Sequence, residues 1–118
     1  MIYRASILFI LVFACGCVQK TYNKTVVYLL NVGKQTEVRN VSIRGGDKPL
    51  NWEFDTKMTT IIPDSLYKVV LTYVTGYKFT EVKFVVNDEF ELKDQSNRRI
   101  VFSDKDTTIY TAISNTMK

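Results

Sequence analysis

The sequence contains no histidine, and it has only two prolines and two cysteines among its 118 residues. Without histidine, the chain lacks both the commonest metal ligand and the commonest general base at neutral pH. The two cysteines, Cys15 and Cys17, lie near the start of the chain. Residues 18–118 therefore hold no disulfide and must be stabilised by packing. The sequence also shows no metal-ligand spacing and no phosphate-binding glycine loop.

A large excess of charge of one sign is also missing. Lysine and arginine together number 16 and acidic residues 12. Leaving out Arg4, fifteen basic side chains face twelve acidic ones, a net charge of +3. This mild and evenly spread charge does not point to a nucleic-acid partner. The hydrophobic content of 46% and the charged content of 24% are typical of a globular protein, and the length allows one small domain.

Long apolar runs are missing too. The run Ile7–Phe13 is too short to span a bilayer as a helix. Arg4 precedes this run, and small residues and cysteines follow it. This layout is typical of a secretory signal peptide. A transmembrane anchor or a buried strand is the alternative.

The two cysteines refine this prediction, because "VFAC" and "ACGC" both resemble the lipobox of bacterial lipoproteins. A small residue precedes each cysteine, as the lipobox requires. The resemblance implies that residues 1–17 form a lipoprotein signal peptide and that Cys17, or alternatively Cys15, is lipidated and attaches the chain to a membrane. Residues 18–24 are polar and are expected to form a tether. No acidic residue occurs among residues 18–20, which favours a periplasm-facing position in the cell envelope over surface display.

The rest of the chain alternates with a period of two, which predicts strands rather than helices. Strands are expected at residues 25–32, 40–44, 58–62, 66–74, 77–86, 99–102 and 107–113. Leu50, Trp52 and Phe54 also alternate, so residues 45–57 fit either a bulged strand or a long loop. We therefore predict an all-β fold, a single antiparallel immunoglobulin-like β-sandwich of about seven strands over residues 25–118.

The stretch "EVKFVVNDEFELKDQSNRRIVF", residues 81–102, predicts a hairpin with a turn at Asn87-Asp88. Lys83 alternates out of the core face formed by Val82, Phe84 and Val86. Arg98 and Arg99 are expected to pair with Glu89 or Glu91 on an exposed surface, where such pairs contribute little.

The order of several short segments along the chain is more specific than the fold class and indicates a resemblance to a known family. The segments run in the order "VVYLLNV", "VSIRGG", "PLNWEF", "YKVVLTYVTGYKFTEVKFVVNDEFEL" and "SNRRIVF". Together they resemble the starch- and glycogen-binding β-sandwich modules, which include the glycogen-binding domain of AMP-activated kinase. The resemblance covers roughly residues 25–113. It implies a non-catalytic domain that binds an α-glucan.

Four residues match sugar-contacting positions of those modules. Trp52 matches the first stacking tryptophan, Lys83 the strand lysine that reaches sugar hydroxyls, and Asn97 the asparagine that hydrogen-bonds the glucan. Phe90 stands where the family usually has its second tryptophan. A pyranose has a flat apolar face and a rim of hydroxyls. Aromatic side chains suit the face, and lysine and asparagine side chains suit the hydroxyls. Structural alternatives are a core tryptophan, a solvated lysine, a packing phenylalanine and a turn-forming asparagine.

Catalysis is not expected. Glycoside hydrolysis needs two carboxylates that flank a bond in a cleft, at about 5 Å or about 6.5–9.5 Å. Glu89 and Glu91 lie one residue apart and are expected on one face of an exposed hairpin. The expected ligand is thus an α-glucan-type oligo- or polysaccharide, and no cofactor or metal is expected. The alternatives are a structural or protein-interaction lipoprotein of the cell envelope with a decayed glucan site, and a small adhesin or accessory subunit.

Overall fold

The computed structural model describes residues 20–34 and 37–117, and within these ranges every regular element is a β-strand. The predicted signal peptide and both cysteines lie outside the described residues. The part of the chain that the structure describes contains no helix of the length and hydrophobicity needed to cross a membrane. The strands are β1 (Tyr22–Asn31), β2 (Val41–Gly45), β3 (Thr56–Lys57), β4 (Thr59–Ile62), β5 (Leu66–Thr75), β6 (Phe79–Val86), β7 (Glu89–Phe90), β8 (Arg98–Val101) and β9 (Thr107–Ile113).

These strands form two sheets, which confirms the predicted all-β, two-sheet architecture. One sheet has four strands in the order β4-β5-β1-β9. The other has the order β3-β2-β6-β7, and β8 also pairs with β6. The described ranges thus hold nine strands rather than about seven, because two strands of two residues each, β3 and β7, lie outside the predicted strands. The prediction of an entirely antiparallel fold was also wrong, since β1 and β9 are parallel neighbours, with Val27 opposite Ile109.

The core lies between the sheets and follows the predicted alternation. From the four-stranded sheet, alternate residues of β1 and β5 are buried. From the five-stranded sheet, the buried residues include Val82 and Phe84 of β6. The rings of Tyr28 and Phe84, one from each sheet, meet edge to face with centroids 6.2 Å apart. The hydroxyls of Tyr28 and Tyr73 are 2.7 Å apart and satisfy each other inside this core.

The chain crosses from one sheet to the other at Met58, the first residue of the predicted strand 58–62. β3 pairs with β2, whereas β4 pairs with β5. Met58 lies between them with its side chain in the core, and its N–H donates to the carbonyl of Val41 at 2.9 Å. All four residues of β4 are exposed, so the sequence pattern alone cannot reveal which sheet this strand joins.

The start of β1 differs from the prediction, and the 45–57 segment is mostly the long loop that was one of its two predicted forms. β1 begins at Tyr22, so residues 22–24, expected in the tether, pair with β5. The side chain of Lys24 supports this extension by donating to the carbonyl of Ser103 at 3.0 Å. Residues 50–55 form no strand despite their alternation, because their backbone is held by turn bonds such as Glu53 N–H to the Asn51 side chain.

Candidate functional site

After β6 the chain turns back along the same edge of that strand, but a loop divides this returning segment into β7 and β8. β7 pairs with the end of β6, β8 pairs with its beginning, and both lie along the same edge of β6. Between them, residues 91–97 leave the sheet as a loop. Asn87 and Asp88 form the turn that starts this return, with φ values of 52° and 66°. A two-residue turn with both φ values positive suits a tight hairpin, so the turn predicted at these residues is confirmed.

The outer face of the five-stranded sheet presents polar and aromatic side chains in register. Arg44 of β2 lies opposite Lys83 of β6, and Val85 of β6 lies opposite Phe90 of β7. Opposite residues of an antiparallel pair point to the same side of the sheet. Because Phe84, between Lys83 and Val85, faces the core, all four of these side chains belong to the outer face.

An open pocket of about 390 Å³ lies on this face. Trp52, Lys83, Phe90, Lys93, Asp94 and Asn97 line it. The structure therefore brings together all four residues that the sequence singled out. Trp52 and Phe90 are 37% and 45% exposed, so neither is a core residue, and both present aromatic surface to the pocket.

Arg44 links the two aromatic residues, although sequence reasoning did not select it. Its guanidinium lies 5.3 Å from the centroid of the Phe90 ring. It donates from Nη1 to the carbonyl of Trp52 at 2.8 Å and from Nε to the carboxylate of Asp55 at 2.7 Å. The outward alternation of residues 40–44 already placed Arg44 on the outer face, but its partners depend on the loop 46–55, which the pattern left unassigned.

Gly46 makes room for the indole of Trp52. A Cβ atom built on Gly46 would lie 3.3 Å from the indole Nε1, closer than most Cβ contacts. An alanine at this position would require the indole to shift by a few tenths of an ångström, and a branched side chain would require more. The glycine of "VSIRGG" is thus a local determinant of the site, and its contact with Trp52 could not be read from the sequence.

The polar residues of the pocket retain hydrogen-bonding capacity. Lys83 Nζ donates one hydrogen bond, to the carbonyl of Gln95 at 3.0 Å, and an ammonium has three protons to donate. The Asn97 amide makes no hydrogen bond to another residue within the described ranges. Two donors of the ammonium and the whole amide thus face the solvent of the pocket.

A buried ion pair between Glu91 and Arg98 stabilises the loop 91–97. Arg98 donates to the two carboxylate oxygens of Glu91, from Nε at 2.6 Å and from Nη2 at 2.8 Å. Both side chains are almost completely inaccessible to solvent. Burial disfavours the charged guanidinium, but the hydrogen bonds to Glu91 and Tyr110 outweigh this and raise the pKa of Arg98 above its ordinary value.

This pair corrects two predictions. Arg98 and Glu91 do pair, but they are buried rather than exposed, because the first residues after β7 turn under the loop. Glu89 and Glu91 consequently do not share one exposed face, since Glu89 is exposed and Glu91 is not. Arg99 lies against the ring of Phe79, 3.8 Å from its centroid, instead of pairing with a carboxylate.

Within residues 20–34 and 37–117, no group of three or more histidine, cysteine, aspartate or glutamate side chains is arranged to hold a metal ion. In comparisons with known proteins, no family model matches the chain and no curated protein is similar enough to count as a relative. The site must therefore be interpreted from its own geometry.

Proposed function

We propose that this chain is a non-catalytic, lipid-anchored carbohydrate-binding module that holds an α-glucan-type chain in the pocket around Trp52. The observation that carries the proposal is the convergence of Trp52, Lys83, Phe90 and Asn97 on one open, exposed pocket. Aromatic side chains offer the flat apolar surface that a pyranose face needs, and the lysine and the amide offer partners for its hydroxyls. The immunoglobulin-like topology expected of such modules belongs to the same proposal.

The shape of the pocket suits binding better than catalysis. It is open to solvent and lies on the outer face of a sheet rather than in a cleft. Of the pocket-lining residues, only Asp94 carries a carboxylate, whereas glycoside hydrolysis needs a pair that flanks the bond. The buried carboxylate of Glu91 is occupied by Arg98 and faces away from the pocket.

The test is titration of the full chain with maltoheptaose. Trp52 is the only tryptophan in the sequence, so intrinsic fluorescence reports directly on the pocket. We expect a saturable fluorescence change, and we expect Trp52→Ala to abolish binding measured by calorimetry. Phe54→Ala is the matched control, because Phe54 is an exposed aromatic residue nearby that does not line the pocket. Absence of binding at millimolar saccharide, or equal binding by Trp52→Ala, would contradict the proposal.

The membrane attachment in this proposal rests on the lipobox-like sequence alone. Incorporation of radiolabelled palmitate should be lost in Cys17→Ala and kept in Cys15→Ala. Loss only in Cys15→Ala would move the anchor to that residue, and incorporation in neither wild type nor variants would remove the anchor from the proposal.

A second candidate, binding of an envelope protein, is favoured by a different face. Val27, Val70 and Ile109 form one cross-strand row on the outer face of the four-stranded sheet, and Val70 and Ile109 are more than half exposed. Exposed aliphatic clusters of this kind occur at protein interfaces. Under this candidate, Ile109→Lys would abolish partner cross-linking while maltoheptaose binding is absent in the wild type.

A further inference from the structure

Two of the residues that line the pocket are lysines that form no ion pair with a carboxylate within the described ranges. They are Lys83 and Lys93. Within the described ranges the two ion pairs involve other side chains, so no carboxylate oxygen lies within 4 Å of either ammonium. Two like charges facing one open space repel each other, and a ligand that carries negative charge would relieve that repulsion.

The remaining charges near the pocket do not cancel this excess. Asp94 contributes one negative charge to the lining, so two positive charges face one negative charge. Arg44 adds no net charge, because its guanidinium is paired with Asp55 at 2.7 Å. The pocket lining therefore carries a net charge of +1, and the sole acidic group in it is exposed.

A neutral sugar does not require this arrangement. Its hydroxyls can be satisfied by the one ammonium of Lys83 and by the amide of Asn97. A second unpaired ammonium, that of Lys93, gains much more from a phosphate or carboxylate, since hydrogen bonds between ionised partners are roughly twice as strong as neutral ones.

We propose that the ligand of this pocket is an anionic saccharide, a glucan-type chain that carries a phosphate or carboxylate group. A sugar ring stacks on Trp52 and its anionic substituent lies between the ammonium groups of Lys83 and Lys93. This inference rests on the proposed saccharide-binding function and names the ligand class within it.

The experiment compares three probes on the full chain by calorimetry at low and high salt. The probes are maltoheptaose, maltoheptaose with a single 6-phosphate group, and inorganic phosphate. We expect the phosphorylated saccharide to bind about tenfold more tightly than the neutral one, which corresponds to one additional charge-assisted hydrogen bond on an exposed surface. The preference should shrink at high salt, because salt screens exposed charges. Inorganic phosphate should bind far more weakly than either saccharide.

Three variants separate the charge effect from stacking. Lys93→Gln should remove most of the preference for the phosphorylated saccharide, because it removes one of the two ammonium groups but keeps a polar side chain of similar length. Asp94→Asn should increase the preference, and asparagine tolerates the positive φ of 62° at this position. Lys68→Gln is the matched control, because Lys68 lies on the other sheet, and it should change nothing.

The outcomes are distinguishable. Equal affinity for both saccharides overturns the charge inference and leaves the proposed function in place. Inorganic phosphate that binds as tightly as the phosphorylated saccharide overturns the inference as well, since the site would then recognise an anion and not a sugar. If neither saccharide binds, the proposed function fails, and this inference fails with it.

Discussion

Replacement of Arg98 by methionine should lower the free energy of unfolding by about 3–5 kcal/mol, the usual cost of removing one partner of a buried ion pair. Methionine is unbranched and fills much of the same volume, so the loss is mainly one of charge and hydrogen bonds rather than of packing. A loss of this size is a large part of the roughly 5–15 kcal/mol that stabilises a typical domain.

The structure shows where this cost arises. The Glu91 carboxylate accepts hydrogen bonds from Arg98 and from the backbone N–H groups of Phe84 and Asn115. In the variant, only the two backbone donors remain for a carboxylate that is nearly inaccessible to water. The backbone carbonyls of Ile113 and Thr116 also lose the donor that Arg98 Nη2 provides, at 3.0 Å and 2.9 Å.

The decisive comparison is with the double variant Glu91→Gln/Arg98→Met. It buries no charge, and the glutamine carbonyl can still accept from one of the two backbone N–H groups, those of Phe84 and Asn115, which donate to different oxygens of Glu91. We expect the double variant to be at least about 2 kcal/mol more stable than Arg98→Met alone, because most of the single-variant cost comes from the unpaired carboxylate. Adding Glu91→Gln to Arg98→Met should therefore restore part of the lost stability.

Urea unfolding of the full chain, followed by far-ultraviolet circular dichroism, measures these differences. Arg99→Met is the matched control, since Arg99 is exposed and its substitution should cost less than about 1 kcal/mol. The reasoning is refuted if Arg98→Met costs less than about 1 kcal/mol, or if the double variant is no more stable than the single one. In that case the loop 91–97 is not held by the ion pair.

Three further predictions concern other contacts. Gly46→Val should displace the indole of Trp52 and shift its fluorescence emission. It should also weaken maltoheptaose binding about tenfold or more, because a loss of aromatic contact on the order of 1.4 kcal/mol has this effect. Unchanged emission would contradict this prediction. Burial raises the pKa of Tyr73 to about 12 and that of Tyr28 further, so the stability that these neutral hydroxyls contribute should be complete below pH 10 and decline as the pH rises toward 12. Absorbance at 295 nm should show that neither hydroxyl ionises near pH 10 in the folded protein, and ionisation of all tyrosines near pH 10 in the folded state would disprove this. Asn87→Ala should lower the free energy of unfolding in urea by about 2–3 kcal/mol, because alanine disfavours a φ of 52° and cannot accept the hydrogen bond from Arg39 N–H. Asn87→Gly should lower it less, because glycine adopts this φ freely. Equal losses for the two variants would show that the backbone conformation is unimportant.

Local patterns predicted much of the fold. The buried faces of β1, β5 and β6 follow from alternation, since a strand buried on one face must repeat every two residues. The turn at Asn87-Asp88 follows from residues that tolerate positive φ. The resemblance to glucan-binding modules selected four residues from three separate segments, and the structure brings these residues to one pocket. Their role in saccharide binding stays a prediction.

The features that the sequence did not predict depend on the choice of a distant partner. Alternation cannot tell that β3 and β4 belong to different sheets, or that β9 pairs in parallel with β1. The burial of Glu91 and Arg98 was missed because charged residues beside a polar loop are usually solvated. Arg44 and Lys93 were not selected, because their importance comes from the side chains opposite them and not from their own neighbours in the chain.

The parallel pairing of β1 with β9 has a consequence for how the protein folds. β1 is the first strand and lies between β5 and the last strand, so Thr25 becomes a neighbour of Thr107. One side of this central strand stays without its partner until nearly the whole chain is available. Contacts between such distant residues require closure of a long loop, which slows folding relative to proteins with local contacts. We expect folding on the millisecond-to-second scale typical of β-sandwiches, and we expect any truncation that removes β9 to expose a long backbone edge to aggregation.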